Sequence, residues 1–312
     1  MLKTVFFGTP AVAVPFLEQL HELTQIQLVI TQPDRPAGRG LAMQVCPVKK
    51  RALELGLKVL SPEIFKDHVP QIAALGADLG LAVAYGKIFK QPALDAFKRG
   101  IINIHFSLLP QYRGAAPVQK ALFDGQTKTG TTAFWIDEGL DTGPIIAQKT
   151  VDILPQDDAS TLFPKLIEAG RQLMPPLLKD IEAGKITKKP QQGTPSLAPV
   201  IDKKDTIINF AKMSAPQIHN LARGLAIGIP AYAKAQTPQG EFVQILKTAL
   251  KPHPAAGEPG SLIAIERGLG FFVQCYEGVL FIETIRPAGK NIMPAYDYIN
   301  GKKMAAGDAV FT

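Results

Sequence analysis

Cysteine is nearly absent from this chain: only Cys46 and Cys275 occur among 312 residues. They lie too far apart to read as a metal spacing or a disulfide framework, which suits a reducing compartment and points to the cytoplasm. His21, His68, His219 and His253 are scattered without ligand spacing, so no metal is expected. Gly8 stands alone after the first apolar run, where Gly-x-Gly-x-x-Gly would mark a dinucleotide site, and this argues against a nicotinamide cofactor. No apolar run approaches the ~20 residues that span a bilayer. The run Val5-Phe6-Phe7, with Lys3 before it and Ala11-Val12-Ala13-Val14 after it, loosely imitates a signal peptide. Gly8-Thr9-Pro10 interrupts it, and Glu18 and His21 follow at helical spacing, so strand, turn and helix is the better reading. No internal repeat is evident.

Acidic residues are also short. The 34 Lys and Arg against 27 Asp and Glu give a net charge of +7. Residues 1–184 hold 19 basic and 18 acidic residues, a net of +1, whereas residues 185–312 hold 15 and 9, a net of +6. A basic excess confined to the last two-fifths of the chain fits either a polyanionic partner or an ordinary lysine-rich surface.

The hydrophobic pattern gives an α/β fold. Strands are expected at Val5–Phe7, Gln27–Thr31, Val59–Leu60, Asp78–Tyr85, Ile101–His105, Thr131–Ile136 and Ile145–Ile153. Helices are expected at Pro15–Leu23, Val48–Leu55, Gln91–Lys98 and Ser160–Ala183, the last kinked or divided at Pro175-Pro176. The alternation predicts a Rossmann-like, doubly wound, mostly parallel sheet over 1–184. Residues 185–205, rich in Pro, Gly, Ser and Gln and studded with Lys185, Lys188, Lys189, Lys203 and Lys204, read as a basic linker. A helix at Ala215–Leu225 then precedes five short strands: Ala231–Gln236, Phe242–Leu246, Ser261–Ile265, Phe271–Tyr276 and Val279–Ile285. These predict a smaller OB-like barrel over 206–312, an architecture often used on nucleic acid.

The chemistry concentrates at Asn103-Ile104-His105. Residues two apart on a strand share a face, so an amide and an imidazole converge on one small volume at the carboxyl end of a strand, where open α/β sheets bind ligands. One group donates a hydrogen bond and the other carries or moves a proton, a pairing suited to a carbonyl carbon. Singly, Asn103 could be a turn former, His105 a satisfied core residue and Asp141, before Thr142-Gly143, a turn residue.

Asn103-Ile104-His105-Phe106-Ser107-Leu108-Leu109-Pro110-Gln111-Tyr112-Arg113-Gly114-Ala115-Ala116-Pro117 resembles the signature of the folate-dependent formyltransferases. Gly139-Leu140-Asp141-Thr142-Gly143 resembles the family's downstream acidic segment. Phe7-Gly8-Thr9-Pro10, Thr31–Gly40 and Arg286-Pro287-Ala288-Gly289-Lys290 agree, so the likeness spans nearly the whole chain. The resemblance implies that Asn103, His105 and Asp141 are catalytic and that 10-formyltetrahydrofolate is the formyl donor. In that reading Asn103 and a protonated His105 serve an oxyanion, and Asp141 holds the imidazole and shuttles protons. It also implies that Ser107, Leu108, Leu109 and Pro110, with Val83, Tyr85 and Gly86, line the folate site. Arg113 is open between a loop contact and an anion ligand.

Within the family, the Arg35–Gly40 loop is like that of the branch acting on Met-charged initiator tRNA. The implied partners are therefore that tRNA and tetrahydrofolate, with no membrane and no obligate protein partner. Arg35 and Arg39 would contact the tRNA, joined by Lys49 and Lys50 and by the linker lysines Lys188, Lys189, Lys203 and Lys204. Two departures stand out. Leu41–Cys46 replaces a Lys-rich tract, and Ala226-Ile227-Gly228-Ile229-Pro230 lacks the Trp of relatives. A formyltransferase for a small amine, a formyltetrahydrofolate hydrolase, and a non-catalytic RNA-binding protein on the same scaffold are the alternatives.

Overall fold

The computed structural model describes residues 1–37, 42–185, 187–229 and 231–312. The chain packs as two compact units. The first comprises Met1–Pro117, Lys128–Asp152 and Phe163–Pro199, and the second Val118–Thr127, Ile153–Leu162 and Val200–Thr312. A boundary read from composition assumes that the chain crosses once, as in the expected division at 184 and 206. Here it crosses repeatedly, because two segments before residue 163 pack with the second unit.

The elements of the first part are β1 (Lys3–Gly8), α1 (Val14–Leu23), β2 (Gln25–Ile30), β3 (Arg35–Ala37), β4 (Ala42–Gln44), α2 (Pro47–Glu54), β5 (Val59–Leu60) and α3 (Val69–Ala74). They continue with β6 (Leu79–Val83), α4 (Gln91–Leu94), β7 (Ile101–His105), α5 (Pro117–Phe123), β8 (Lys128–Trp135), β9 (Ile145–Asp152) and α6 (Ala159–Glu182). The main sheet runs β5-β2-β1-β6-β7-β8-β9, parallel from β5 to β7 and antiparallel thereafter. β6, Leu-Gly-Leu-Ala-Val, is buried throughout, as a central parallel strand covered on both faces must be. The strand order reverses between β1 and β6, which makes their carboxyl ends the switch point at which such sheets open a crevice.

Three differences from the sequence reading have local causes. β6 ends at Val83 rather than Tyr85, because Ala84 and Gly86 adopt positive φ (47° and 77°) and turn the chain. The expected helix Gln91–Lys98 is a single turn, Gln91–Leu94. The helix expected to divide at Pro175-Pro176 is continuous from Ala159 to Glu182. The two prolines cost the carbonyls of Arg171 and Gln172 their helical donors, but Leu166, Ala169, Met174, Leu177, Leu178 and Ile181 bury one face. Helices α3 and α5 were not anticipated, each opening on a proline in its first turn.

The second unit adds β10 (Ile207–Ile208), α7 (Ala215–Gly224), β11 (Lys234–Gln236), β12 (Phe242–Ala249), β13 (Leu262–Glu266), β14 (Gly270–Gln274), β15 (Val279–Pro287), β16 (Met293–Pro294) and α8 (Ala295–Gly301). Strands β11 to β15 are the five expected, ordered β10-β11-β12-β15-β14-β13. The last residues connect β11 to the segment that leads into β13. Ala309 bridges Ser261 just before β13, and the Thr312 amide donates to the Gln236 carbonyl of β11 at 2.9 Å. Phe210, Ile218, Leu221, Ile245, Phe271, Ile282 and Phe311 fill the interior, with Phe210 and Phe311 stacked.

Candidate active site

A cleft of about 480 Å³ opens in the first unit at the switch point. Its floor is β7. Asn103 pairs with Ala82 on one side and Phe134 on the other, and His105 opposes Thr132, so the amide and the imidazole share a face as the strand period requires. One wall is the turn after β6, from Ala84 to Phe89; the other holds Gly114, Ala115 and the turn from Asp137 to Asp141. Ile88 and Leu140 stand at the mouth, 58% and 49% exposed.

His105 is buried and its ring is fixed. Nε2 lies 2.9 Å from the Tyr112 carbonyl, which can only accept, so Nε2 carries the hydrogen and donates. Nδ1 is therefore the nitrogen that gains or loses a proton. It faces Asp141 Oδ2 at 3.8 Å, close enough for attraction and too far for a hydrogen bond. The Gly114 amide donates to the same Oδ2 at 2.7 Å. Gly114 sits at φ +121°, and a Cβ there would come within 2.6 Å of the Ala198 carbonyl oxygen, so only glycine fits. Asp141 itself is at φ +51°, a conformation held by its surroundings. Among the described residues no protein group takes up the Asn103 amide, which leaves it free for a ligand.

The apolar wall is aromatic. Phe7 makes edge contacts to Phe65, Tyr85 and Phe89, with ring centroids 4.9–6.0 Å apart. Burial pushes the Tyr85 phenol up to about 12, and its hydroxyl has no hydrogen-bond partner among the described residues. The Tyr85 carbonyl accepts from Gln32 Nε2 at 3.0 Å, which ties the turn after β6 to the segment after β2.

Of the residues expected to line a folate site, Tyr85 and Gly86 are in the wall; Val83, Ser107, Leu108, Leu109 and Pro110 are not. The Ser107 hydroxyl is spent on the Gln111 carbonyl at 2.6 Å. Thr132 Oγ1 donates to the Ser107 carbonyl at 2.6 Å, and Gln148 donates to the Leu109 carbonyl at 2.9 Å. This segment shapes the loop that presents the Tyr112 carbonyl to His105.

Within the expected linker, residues 187–198 run as a strap along the first unit. The Trp135 indole donates to the Thr187 carbonyl at 3.0 Å, and Lys189 pairs with Ile145 in both directions. The Arg113 amide donates to the Ser196 carbonyl, and the Ala198 amide to the Arg113 carbonyl, at 2.9 and 2.7 Å. Arg113, left open in the sequence, points its guanidinium at neither a carboxylate nor the cleft. It donates to Gln191 Oε1 through Nε and Nη2, at 3.2 and 2.7 Å.

The basic residues separate. Lys49 is engaged by Asp34 at 2.6 Å, both about three-quarters covered (24% and 21% exposed), and it closes the loop onto α2 instead of offering a free charge. Lys50, Lys188, Lys189, Lys203 and Lys204 are exposed, and Lys204 lies 3.8 Å from Asp202. Arg35 belongs to β3, whose residues pair with β4. Gly38, Arg39 and Gly40 lie outside the described residues. No helix among the described residues is long and apolar enough to cross a membrane, and no described cluster of His, Cys, Asp and Glu could hold a metal.

The sequence matches the formyl transferase family over residues 2–178 and the formyl transferase C-terminal domain over 200–303. It is 48% identical to a methionyl-tRNA formyltransferase of Elusimicrobium minutum, with 99% of this chain and 100% of that protein aligned. Identity to the protein of the same name from Thermodesulfovibrio yellowstonii is 43%, over 97% of each chain. The N-formyltransferase from Helicobacter canadensis, solved with folinic acid and dTDP-3-aminofucose, superposes at TM-score 0.66 with 22% identity, over 91% of this chain and 99% of that one. HypX from Aquifex aeolicus, solved with tetrahydrofolic acid, gives TM-score 0.63 at 14% identity, over 98% of this chain and 48% of that one. At these identities the structural likeness is one of fold.

Proposed function

The chain belongs to the methionyl-tRNA formyltransferase family, and we propose that it moves the formyl group of 10-formyltetrahydrofolate onto the methionine amino group of initiator Met-tRNA, giving the formyl-Met-tRNA used to start translation in the cytoplasm. The observation that carries this reading is the meeting of Asn103, His105 and Asp141 in one cleft. Its volume lies within the ~300–1,000 Å³ typical of small-molecule sites, and its lining couples an apolar wall to a few convergent polar groups.

The folate supplies a formyl group on a nitrogen that can leave. The Asn103 amide donates to the formyl oxygen as negative charge gathers there. His105, with Nε2–H committed to Tyr112, acts through Nδ1: protonated, it adds a charged donor, and it returns that proton towards the departing nitrogen. Asp141 keeps Oδ2 on the Gly114 amide. Among the described residues its Oδ1 has no protein partner, and it takes the proton released by the attacking amine. Tyr85, Gly86 and Ile88 cover the flat ring system. Val83 and Ser107–Pro110 support it from behind.

The roles divide along the chain: catalysis in 1–184, tRNA contact in the basic stretch 185–205 through Lys188, Lys189, Lys203 and Lys204, and further tRNA contact in 206–312. Lys50, Arg35 and Arg39 serve the acceptor end. The test is incubation with 10-formyltetrahydrofolate and Met-charged initiator tRNA, following formyl-Met. Formyl transfer that needs the charged tRNA and weakens steeply with salt is expected. Equal transfer to small amines, or a flat salt response, would refute the reading.

A further inference from the structure

Gln191 ties the loop that carries Asp141 to Arg113. Its Nε2 donates to the carbonyls of Asp141 and Gly143, both at 2.8 Å, while its Oε1 accepts from the Arg113 guanidinium. These bonds close a ring. Arg113 holds Gln191, Gln191 holds the Asp141 backbone, and the Asp141 carboxylate accepts from Gly114, the residue after Arg113. Asp141 is thus gripped at its main chain and at its side chain, at a φ of +51° that an unsupported aspartate rarely adopts. The Ile145–Lys189 backbone pair fastens the strap just beyond the same turn.

We infer that Gln191 is a positioning residue for the formyl transfer proposed above: it sets the Asp141 turn so that the carboxylate faces His105 Nδ1. It touches no substrate. Its effect is on the geometry of reaction, and misplacement by about 1 Å at such a site costs up to 10²-fold in rate. Because Lys188 and Lys189 lie on the same strap, the segment expected to meet tRNA is bonded directly to the backbone of the residue that carries the catalytic carboxylate.

Gln191→Glu and Gln191→Ala are compared with Trp135→Phe, which removes a strap hydrogen bond made to Thr187 and not to the Asp141 turn. Glu keeps an acceptor for Arg113 but loses both donors to the turn, so it isolates the inferred contact. Both Gln191 variants are expected to lower kcat about tenfold, with KM for both substrates within about twofold, while Trp135→Phe stays near wild type. Amide exchange of 139–144, followed by mass spectrometry, should quicken in the Gln191 variants alone. Wild-type Gln191→Glu turnover, unchanged exchange in 139–144, or an equal loss in all three variants overturns the inference. Exchange needs no turnover, so it judges Gln191 even if the wild type fails to formylate Met-tRNA, a failure that would strike the functional proposal instead.

Discussion

The two walls of the cleft are built by different physics. The wall at Asp141 is a mesh of directional bonds, in which Gly114 holds the Asp141 carboxylate, Gln191 holds the Asp141 and Gly143 carbonyls and is itself held by Arg113, and Asp137 organises the turn from within through Thr142 and Gly139. The wall at Tyr85 is held by ring packing, with Phe7 at its centre, and spends hardly any polar atoms. Bonds fix positions to tenths of an ångström, which proton transfer demands. Ring packing fixes volume and excludes water while tolerating small shifts, which suits gripping a flat ligand. One side of the cleft is ordered by bonds and the other by packing, which fits the proposed division between reaction and binding.

Substitutions that reach the reacting atoms should show the largest effect. Asn103→Ala and His105→Ala are expected to lower kcat by about 10²–10³-fold with the thermal transition unchanged. Near-normal turnover by a folded His105 variant would remove the polar wall from catalysis. Phe89→Ala attacks the other wall and should act on stability first, costing about 3–5 kcal/mol in denaturant unfolding, because a buried ring leaves a cavity. If it cut kcat in the folded fraction as deeply as His105→Ala, the division between walls would fail. Ile88→Ala, at the exposed mouth, should raise KM for the folate about fivefold and leave kcat alone, consistent with about 1 kcal/mol of lost apolar contact.

The smallest effect concerns a histidine that serves structure alone. His219, in α7, hydrogen-bonds Thr248 at 2.8 Å, and burial, with the charge of Arg223, pushes it down to about 4. It folds neutral and unfolds to a group titrating near 6.5, so its share of stability is whole above about pH 6.5 and is lost as pH falls towards 4. His219→Gln should flatten that limb of the stability curve without touching turnover. A change in turnover would mean that the two histidines are not separable in role.

What the sequence made legible follows from locality. Asn103 and His105 are two residues apart on a strand, and strand period alone places them together. Asp141 entered through a short motif, and β11 to β15 through turn residues between apolar runs. The strap could not be read this way. Gln191 meets Arg113 from 78 residues away and Asp141 from 50, and its segment has the Pro, Gly and Gln content of a free linker. Nothing in composition distinguishes backbone that pairs with a distant loop from backbone that pairs with water. Ser107–Pro110 lie outside the cleft lining for a related reason: residues beside Asn103 and His105 in sequence need not share their face, since the chain leaves the strand after His105. The Lys49–Asp34 pair could not be read either, because the two residues sit 15 apart in sequence.

The chain contains a single tryptophan, and it lies beneath the strap, its indole bonded to Thr187 with the Lys188 ammonium 5.6 Å above the ring. The molecule therefore carries a built-in optical reporter beneath its lysine-bearing strap. Its emission needs no label and has no competing indole. A red shift on adding tRNA would register the strap lifting from the ring, and quenching without a shift would register a change of charge around Lys188. Stopped-flow fluorescence of the unmodified protein could then time the arrival of the nucleic acid against the chemical step.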